Sequence, residues 1–199
     1  MTGPNTYPIV EQTMDDYVLN VMSFNVQTEN GSQVRFDIRA DMLRDLIDEY
    51  MPDSIGMQEV TAKWRELMDN YIFNDSYTGV GVARTNNAAL GLEQSCIFYR
   101  SDKYDLLDSG TFWLSETPEK VSYGWDAACR RVCSWGYFKD KQSKRKFWFF
   151  NTHMDHKGKV ARAEGAKLVL AKIREMCGEK ANVILTGDFN VAQGSTAYK

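Results

Sequence analysis

Both histidines of the chain, His153 and His156, fall in FWFFNTHMDH, residues 147–156, directly after four apolar residues in a row. Three other apolar stretches also end in groups that bind metals or phosphates. YVLNVMSFNV (17–26) reaches Asn25, SIGMQEV (54–60) reaches Gln58 and Glu59, and NVILTGDFN (182–190) closes on Gly187, Asp188, Phe189 and Asn190. If these ends meet the end of 147–153, which carries Asn151, Thr152 and His153, they assemble the carboxylates of Glu59 and Asp188, the amides of Asn25 and Asn190 and the His153 imidazole. A hard dication such as Mg2+, with Mn2+ as a substitute, takes one or two carboxylates, keeps several waters and shares phosphate oxygens. In that chemistry Glu59 suits a metal ligand and Asp188 a base that orients water. Asn25 and Asn190 can donate to phosphate oxygens or hold their neighbours. His153 can donate to an oxygen whose charge grows in the transition state. The reaction is metal-assisted phosphoryl hydrolysis. Zinc suits the set less well, because these strand ends carry no thiol and the histidines are few.

Each signal alone has an ordinary reading. A Glu at a strand end is usually a solvated cap, and a lone His after an apolar strand is usually a satisfied core residue. GDFN has the composition of a turn. Recurrence at four strand ends favours the functional reading, because sites gather where strand ends converge.

The elements that must position these groups can be read from apolar spacing. Phe36, Ala40, Leu43, Ile47 and Tyr50 predict an amphipathic helix over 33–50, stopped by Pro52. Thr61 caps a second helix that carries Trp64, Leu67, Met68 and Tyr71. YTGVGVA (77–83), SCIFYR (95–100) and YDLLDSGTFWLS (104–115), separated by short turns, predict antiparallel strands. Residues 116–131 read as an irregular loop. VCSWGYF, KDKQSKRK and FWFFNTH read as strand, turn and strand over 132–153. A long helix covers 158–177 with Gly178 as its C-terminal cap, and Ser195 caps the first turn of another helix. Strands and helices mix in an order too irregular for a regular doubly wound sheet, so two packed sheets with outer helices are expected.

The 199 residues, 43% hydrophobic and 13% aromatic, are enough for one sizeable core and one domain. A net charge of −3 disfavours non-specific coating of duplex DNA. A small charged substrate is still allowed, since a local basic pocket needs few residues. Cys96, Cys129, Cys133 and Cys177 read as free thiols, with a Cys129–Cys133 bridge as the alternative. Their usage, and an N-terminus without a signal-peptide core, fit the cytoplasm; a secreted form with its leader removed fits too. No apolar run approaches the length of a membrane span. Nothing fixes the oligomeric state.

VMSFNV (21–26), MPDSIGMQEV (51–60), FFNTHMDH (149–156) and LTGDFN (185–190) together resemble the endonuclease/exonuclease/phosphatase superfamily, in its order and at fitting separations. GTFWLSETPEK and GWDAACRRVCSW, within 110–135, resemble a bacterial branch of undefined substrate. The resemblance implies the DNase I-like fold, an α/β four-layer sandwich of two packed mixed β-sheets flanked by helices. It implies Glu59 as the metal ligand with Asn25 beside it in the metal site. It puts His153 and Asn190 on the phosphate and Asp188 on the attacking water or leaving group. Asp155 and His156 become supporting or structural residues. It also implies a late-strand Asp-His pair, which 1–199 does not contain. On this basis the chain is read as one domain lacking its C-terminal strands, a piece of a longer protein.

Other residues bear on the substrate. Trp113 and Trp125 flank the irregular loop and could stack on a base or sugar ring, or fill the core. Arg130 and Arg131 follow it, and Arg131 is the candidate phosphate contact against a surface ion pair. Arg162 opens the long helix and either supports the site or is exposed. The basic KDKQSKRK reads as a solvated hairpin turn, with a nucleic-acid backbone contact as the alternative. The leading reading is a phosphoester hydrolase on a small or single-stranded phosphate ester. A nuclease and a non-catalytic phosphate-binding scaffold stand beside it.

Overall fold

Apolar runs with no polar face must be covered on both sides, and this sets the layering of the molecule. The computed structural model describes residues 17–73, 75–90, 92–195 and 198. One sheet holds β1 (Val21–Asn25), β2 (Ser54–Val60), β3 (Tyr77–Val80) and β4 (Gln94–Arg100), in the order β1-β2-β4-β3. The other holds β5 (Tyr104–Trp113), β6 (Val132–Asp140), β7 (Lys146–His153) and β8 (Val183–Asp188), in the order β5-β6-β7-β8. β1–β2 and β7–β8 are parallel and the other pairings antiparallel, so both sheets are mixed.

Parallel neighbours need a long crossover. Helix α1 (Phe36–Tyr50) returns β1 to β2, and α3 (Lys159–Cys177) returns β7 to β8; the short α2 (Ala62–Leu67) follows β2. α1 buries Ala40, Leu43 and Ile47, the middle of the predicted stripe; Phe36 is partly buried, and Tyr50 at the end of the helix is exposed. It starts at Phe36 rather than 33, since Gly31 turns back onto Thr28 and Arg35 is still extended. The Thr61 hydroxyl accepts from Trp64 N at 3.3 Å and starts α2, which widens into a looser turn at Met68–Ile72. Gly178, at φ 71°, ends α3.

Successive residues of one strand face different layers. Phe98 on β4 packs with Ile47 of α1 and Trp64 of α2, whereas its neighbours Ile97 and Tyr99 meet Phe138, Phe147 and Phe149 between the sheets. On β7, Phe150 turns to Val169 of α3. The four-apolar run FWFF is therefore a strand with helix on one face and sheet on the other. α1 with α2, two sheets and α3 make the four-layer sandwich expected. No described helix is long and apolar enough to cross a membrane.

Some boundaries differ from expectation. β3 stops at Val80, because Gly81 at φ 122° turns the chain out and only Ala83 pairs again, singly with Gln94. β6 runs on to Asp140, whose carboxylate caps the hairpin turn at Gln142 and Ser143. All four cysteines are free thiols, so the Cys129–Cys133 bridge is not formed. The helix start expected at 195–199 lies mostly outside the described residues.

Candidate active site

The polar ends of β1, β2, β7 and β8 come together. A single amide joins three of them: Asn25 Nδ2 donates to Glu59 Oε1 and to Asp188 Oδ2, both at 3.0 Å. Backbone donors fix the group further. Thr28 N donates to Glu59 Oε2 at 3.0 Å, Gln27 N to Asn25 Oδ1 at 2.9 Å, and Asn190 N to Asp188 Oδ1 at 3.1 Å. Glu59 sits at φ 60°, where β2 slips register between Met57 and Val60. A left-handed conformation is uncommon for a residue with a side chain. Here the bulge turns the Glu59 carboxylate toward Asn25.

Beneath the carboxylates is a buried amide staple. Asn151 Nδ2 donates to Met57 O and Cys96 O, each at 2.8 Å; its Oδ1 accepts from Gln58 Nε2 at 2.7 Å and Thr186 Oγ1 at 3.0 Å. Gln58 and Asn151, read from sequence as part of a polar mouth, are 1% and 0% exposed and bind the two sheets together. Gly56 makes room for them: a Cβ there would lie 2.7 Å from Asn151 Oδ1.

His153, 6% exposed, has Nε2 3.8 Å from Asp188 Oδ2 and Nδ1 3.9 Å from Glu93 Oε1. Burial, reinforced by the Arg131 charge, pulls its pKa down to about 4, so the ring is neutral near pH 7. Nδ1 is closed off from solvent without a hydrogen-bond partner. Glu93 pairs with Arg84 at 2.6 Å, and burial raises its carboxyl above the ordinary range. Sequence reasoning missed both Arg84 and Glu93. The available signal was strand direction: β4 runs antiparallel to β2, so its start, not its end, lies beside Glu59.

Asn190 lies at φ 49°, and its side-chain nitrogen donates to Met154 O at 3.0 Å, which ties the tail of β8 to that of β7. Arg131 is not a surface residue. It is 5% exposed, with Nη2 3.1 Å from His156 Nδ1 and Nε 3.6 Å from Asp155 Oδ2; Nε and Nη1 are enclosed and make no hydrogen bond. It lies under the site and reaches it through its charge. Arg162 donates to the Asp155 carbonyl at 2.8 Å and supports that turn. Trp125 is half-buried in the 116–131 loop, whereas Trp113 is tied by Nε1 to the Arg84 carbonyl at 2.9 Å. The basic hairpin is at the opposite end of β7 from His153, about 23 Å away at ordinary strand rise. Trp148 there already stacks on Tyr137, with centroids 4.3 Å apart.

A cavity of about 620 Å³ opens at the strand ends, lined by Asn25, Asp188 and Asn190 among others. Neither Glu59 nor Asp188 has a Lys or Arg partner among the described residues, and the imidazole nearby is neutral. Two uncompensated carboxylates converging on one amide suit a hard dication with water ligands. Glu59 and Asp188 offer oxygens to it. Asn25 presents its nitrogen to the carboxylates and gives its oxygen to Gln27 N.

The sequence model of the endonuclease/exonuclease/phosphatase family matches residues 22–199. The chain belongs to that family. Its fold is the family's DNase I-like sandwich. A mannosyl-6-phosphatase of Bacteroides thetaiotaomicron is 41% identical, with TM-score 0.84 over 91% of this chain and 68% of its own. A second family member from the same organism is 42% identical, with TM-score 0.84 over 90% of this chain and 65% of its own. A protein of Acanthamoeba polyphaga mimivirus is 28% identical over 187 residues, 86% of this chain and 67% of its own. The chain thus spans about two thirds of the length of these relatives. Family members hydrolyse phosphate esters or nucleic acids and are generally dependent on divalent metals.

Proposed function

We propose that this chain, as one catalytic domain, carries the active site of a divalent-metal-dependent phosphoester hydrolase, with Mg2+ as the ion and Mn2+ as its substitute. The Asn25 amide, 3.0 Å from both Glu59 and Asp188 where neither has a basic partner, is the observation that carries the reading. Glu59 would hold the ion, with Asn25 beside it. A bound dication supplies charge neutralisation on a phosphate oxygen. The residues of the chain do the rest. Asp188, fixed by Asn25 and the Asn190 N–H, orients the attacking water and takes its proton. His153, neutral, donates an N–H to a phosphate oxygen. Asn190 sets the Asp188 carboxylate and lies beside the phosphate.

The substrate we propose is a phosphomonoester of a sugar-like alcohol. The similarity to a mannosyl-6-phosphatase supports this class. The nuclease reading loses its best sequence support, since the basic hairpin is far from His153 and its tryptophan face is taken. The decisive experiment measures Mg2+-dependent phosphate release from mannose 6-phosphate beside cleavage of single-stranded DNA, in wild type and Glu59→Ala. Release that vanishes in Glu59→Ala is expected. Turnover that survives the substitution refutes the metal role, and binding without any turnover moves the protein to the scaffold class.

A further inference from the structure

Two carboxylates cross between the irregular loop and the turn after β7. Asp126, in the loop, accepts from Ala161 N at 2.7 Å and Val160 N at 3.3 Å in the first turn of α3. Asp155, in the turn, takes Ala128 N at 3.0 Å and Cys129 N at 3.1 Å on one oxygen. Its other oxygen takes Lys157 N at 2.9 Å and Gly158 N at 2.7 Å. Each segment therefore grips the other's backbone. The crossing is tight: a Cβ on Gly158 would lie 2.6 Å from Asp126 Oδ1. Asp155 is 1% exposed. Burial pushes its carboxyl up, but the four N–H donors outweigh this and hold it well below the ordinary range. The Cys129 thiol and the His156 ring approach Asp155 within 4.8 Å, yet both carboxylate oxygens are already filled, so the cluster is an anchor and not a cation seat.

The clasp has a consequence next door. Trp125, directly before Asp126, is held at φ 46°, with its N–H on Glu116 Oε2 at 3.2 Å. A bulky residue adopts this conformation only when its surroundings impose it, and such outliers gather at binding sites. The ring is partly open to solvent, and Asp155 follows His153 by two residues.

We propose that Asp155 is a positioning residue for substrate selection: it locks the Trp125 loop to the end of β7, so that the indole meets the ring of the alcohol while His153 meets the phosphate. The inference rests on the phosphoester-hydrolase reading above. The ligand class is a phosphomonoester of a ring-bearing alcohol, whose apolar ring face can lie on an aromatic one.

The test compares kcat/KM for a hexose 6-phosphate and for glycerol 3-phosphate, a phosphomonoester without a ring, in the full chain with Mg2+. Amide hydrogen exchange is read alongside. Asp155→Asn keeps the shape but turns an amide nitrogen toward backbone donors. The ratio of the two kcat/KM values should fall roughly tenfold or more, chiefly through KM for the hexose ester, as loosened positioning predicts. Exchange should rise at 126–129 and not at 183–188, and Trp125→Ala should reproduce the lost selectivity. Equal losses on both esters, or unchanged exchange at 126–129, overturn the proposal. If Asp155→Asn does not fold, Asp126→Asn, exposed and on the other arm, carries the same expectation. If wild type binds Mg2+ but hydrolyses neither ester, the hydrolase reading fails alone. Selectivity is then the ratio of Kd for hexose 6-phosphate to Kd for inorganic phosphate, and a ratio unmoved by Asp155→Asn overturns the positioning role.

Discussion

Replacing Asn151 with Ala should come close to unfolding the protein, although the residue meets no substrate. Its amide makes four hydrogen bonds to groups on β2, β4 and β8, at 2.7 to 3.0 Å. At about 1 kcal/mol net for each, the loss is about 4 kcal/mol. Two of the partners keep a second bond, whereas stranding the buried Met57 and Cys96 carbonyls adds to this figure. Gln58 Nε2 keeps the Gly56 carbonyl at 3.2 Å, and the Thr186 hydroxyl keeps Phe150 O at 3.4 Å. Domains of this kind hold about 5–15 kcal/mol in total, so the variant loses a large part of its margin. At about 2–4 °C per kcal/mol for this chain length, Tm should fall by roughly 8–16 °C. Asn151→Asp should be no better, because it turns an acceptor toward two carbonyls. Urea unfolding at unchanged m-value, in EDTA, measures the difference directly. A midpoint shift worth less than about 1 kcal/mol would refute the staple and the joining of sheets assigned to it.

Further expectations concern the site and its surroundings. Glu59→Ala should abolish Mn2+ binding followed by calorimetry, whereas His153→Ala should cut turnover by about a hundredfold or more and leave metal affinity within a few fold. A large loss of metal affinity in His153→Ala would reverse those roles. In metal-free protein, His153 takes a proton near pH 6.5 when unfolded and only near 4 when folded. The unfolded state then binds more protons between these values, so stability should drop as pH falls through that window, by up to about 3 kcal/mol. Glu93, raised by burial, works the other way at the acid end, and the Asp188 and Glu59 charges favour the imidazolium. His153→Gln should flatten the decline; an unchanged slope would mean the ring titrates normally. Reversing Lys141, Lys144 and Arg145 to Glu should leave kcat/KM on a small ester within about twofold at ordinary salt, because the hairpin is more than two Debye lengths from His153. A tenfold loss would bring the hairpin back into substrate binding.

The layers and the convergence of the polar strand ends were legible because they follow from local rules. FWFF has no polar face, so β7 had to be covered twice. Thr61 and Gly178 announce helix ends by their chemistry. The polar tails of four apolar runs converge as expected. What could not be read depends on distant partners. Asn151 and Gln58 look like site residues from sequence, and only cross-sheet packing shows them as a buried staple. Arg131 reads from sequence as a phosphate contact or a surface ion pair, whereas in the fold it is buried beside Asp155 and His156. Glu93 and Arg84 lie in a segment without periodicity, and they reach His153 only through the antiparallel placement of β4.

The Asn25 amide that bridges Glu59 and Asp188 also has a consequence in time. Its two partners lie 34 and 163 residues further along the chain. At ordinary elongation rates, roughly ten to thirty seconds separate the synthesis of Asn25 from that of Asp188. Throughout that interval the nascent chain can form β1, β2 and the Glu59 bulge, but it holds only one of the two converging carboxylates. The Glu59–Asn25–Asp188 cluster therefore assembles only after β8 has been made, and a nascent chain that ends before it holds Glu59 and Asn25 without Asp188.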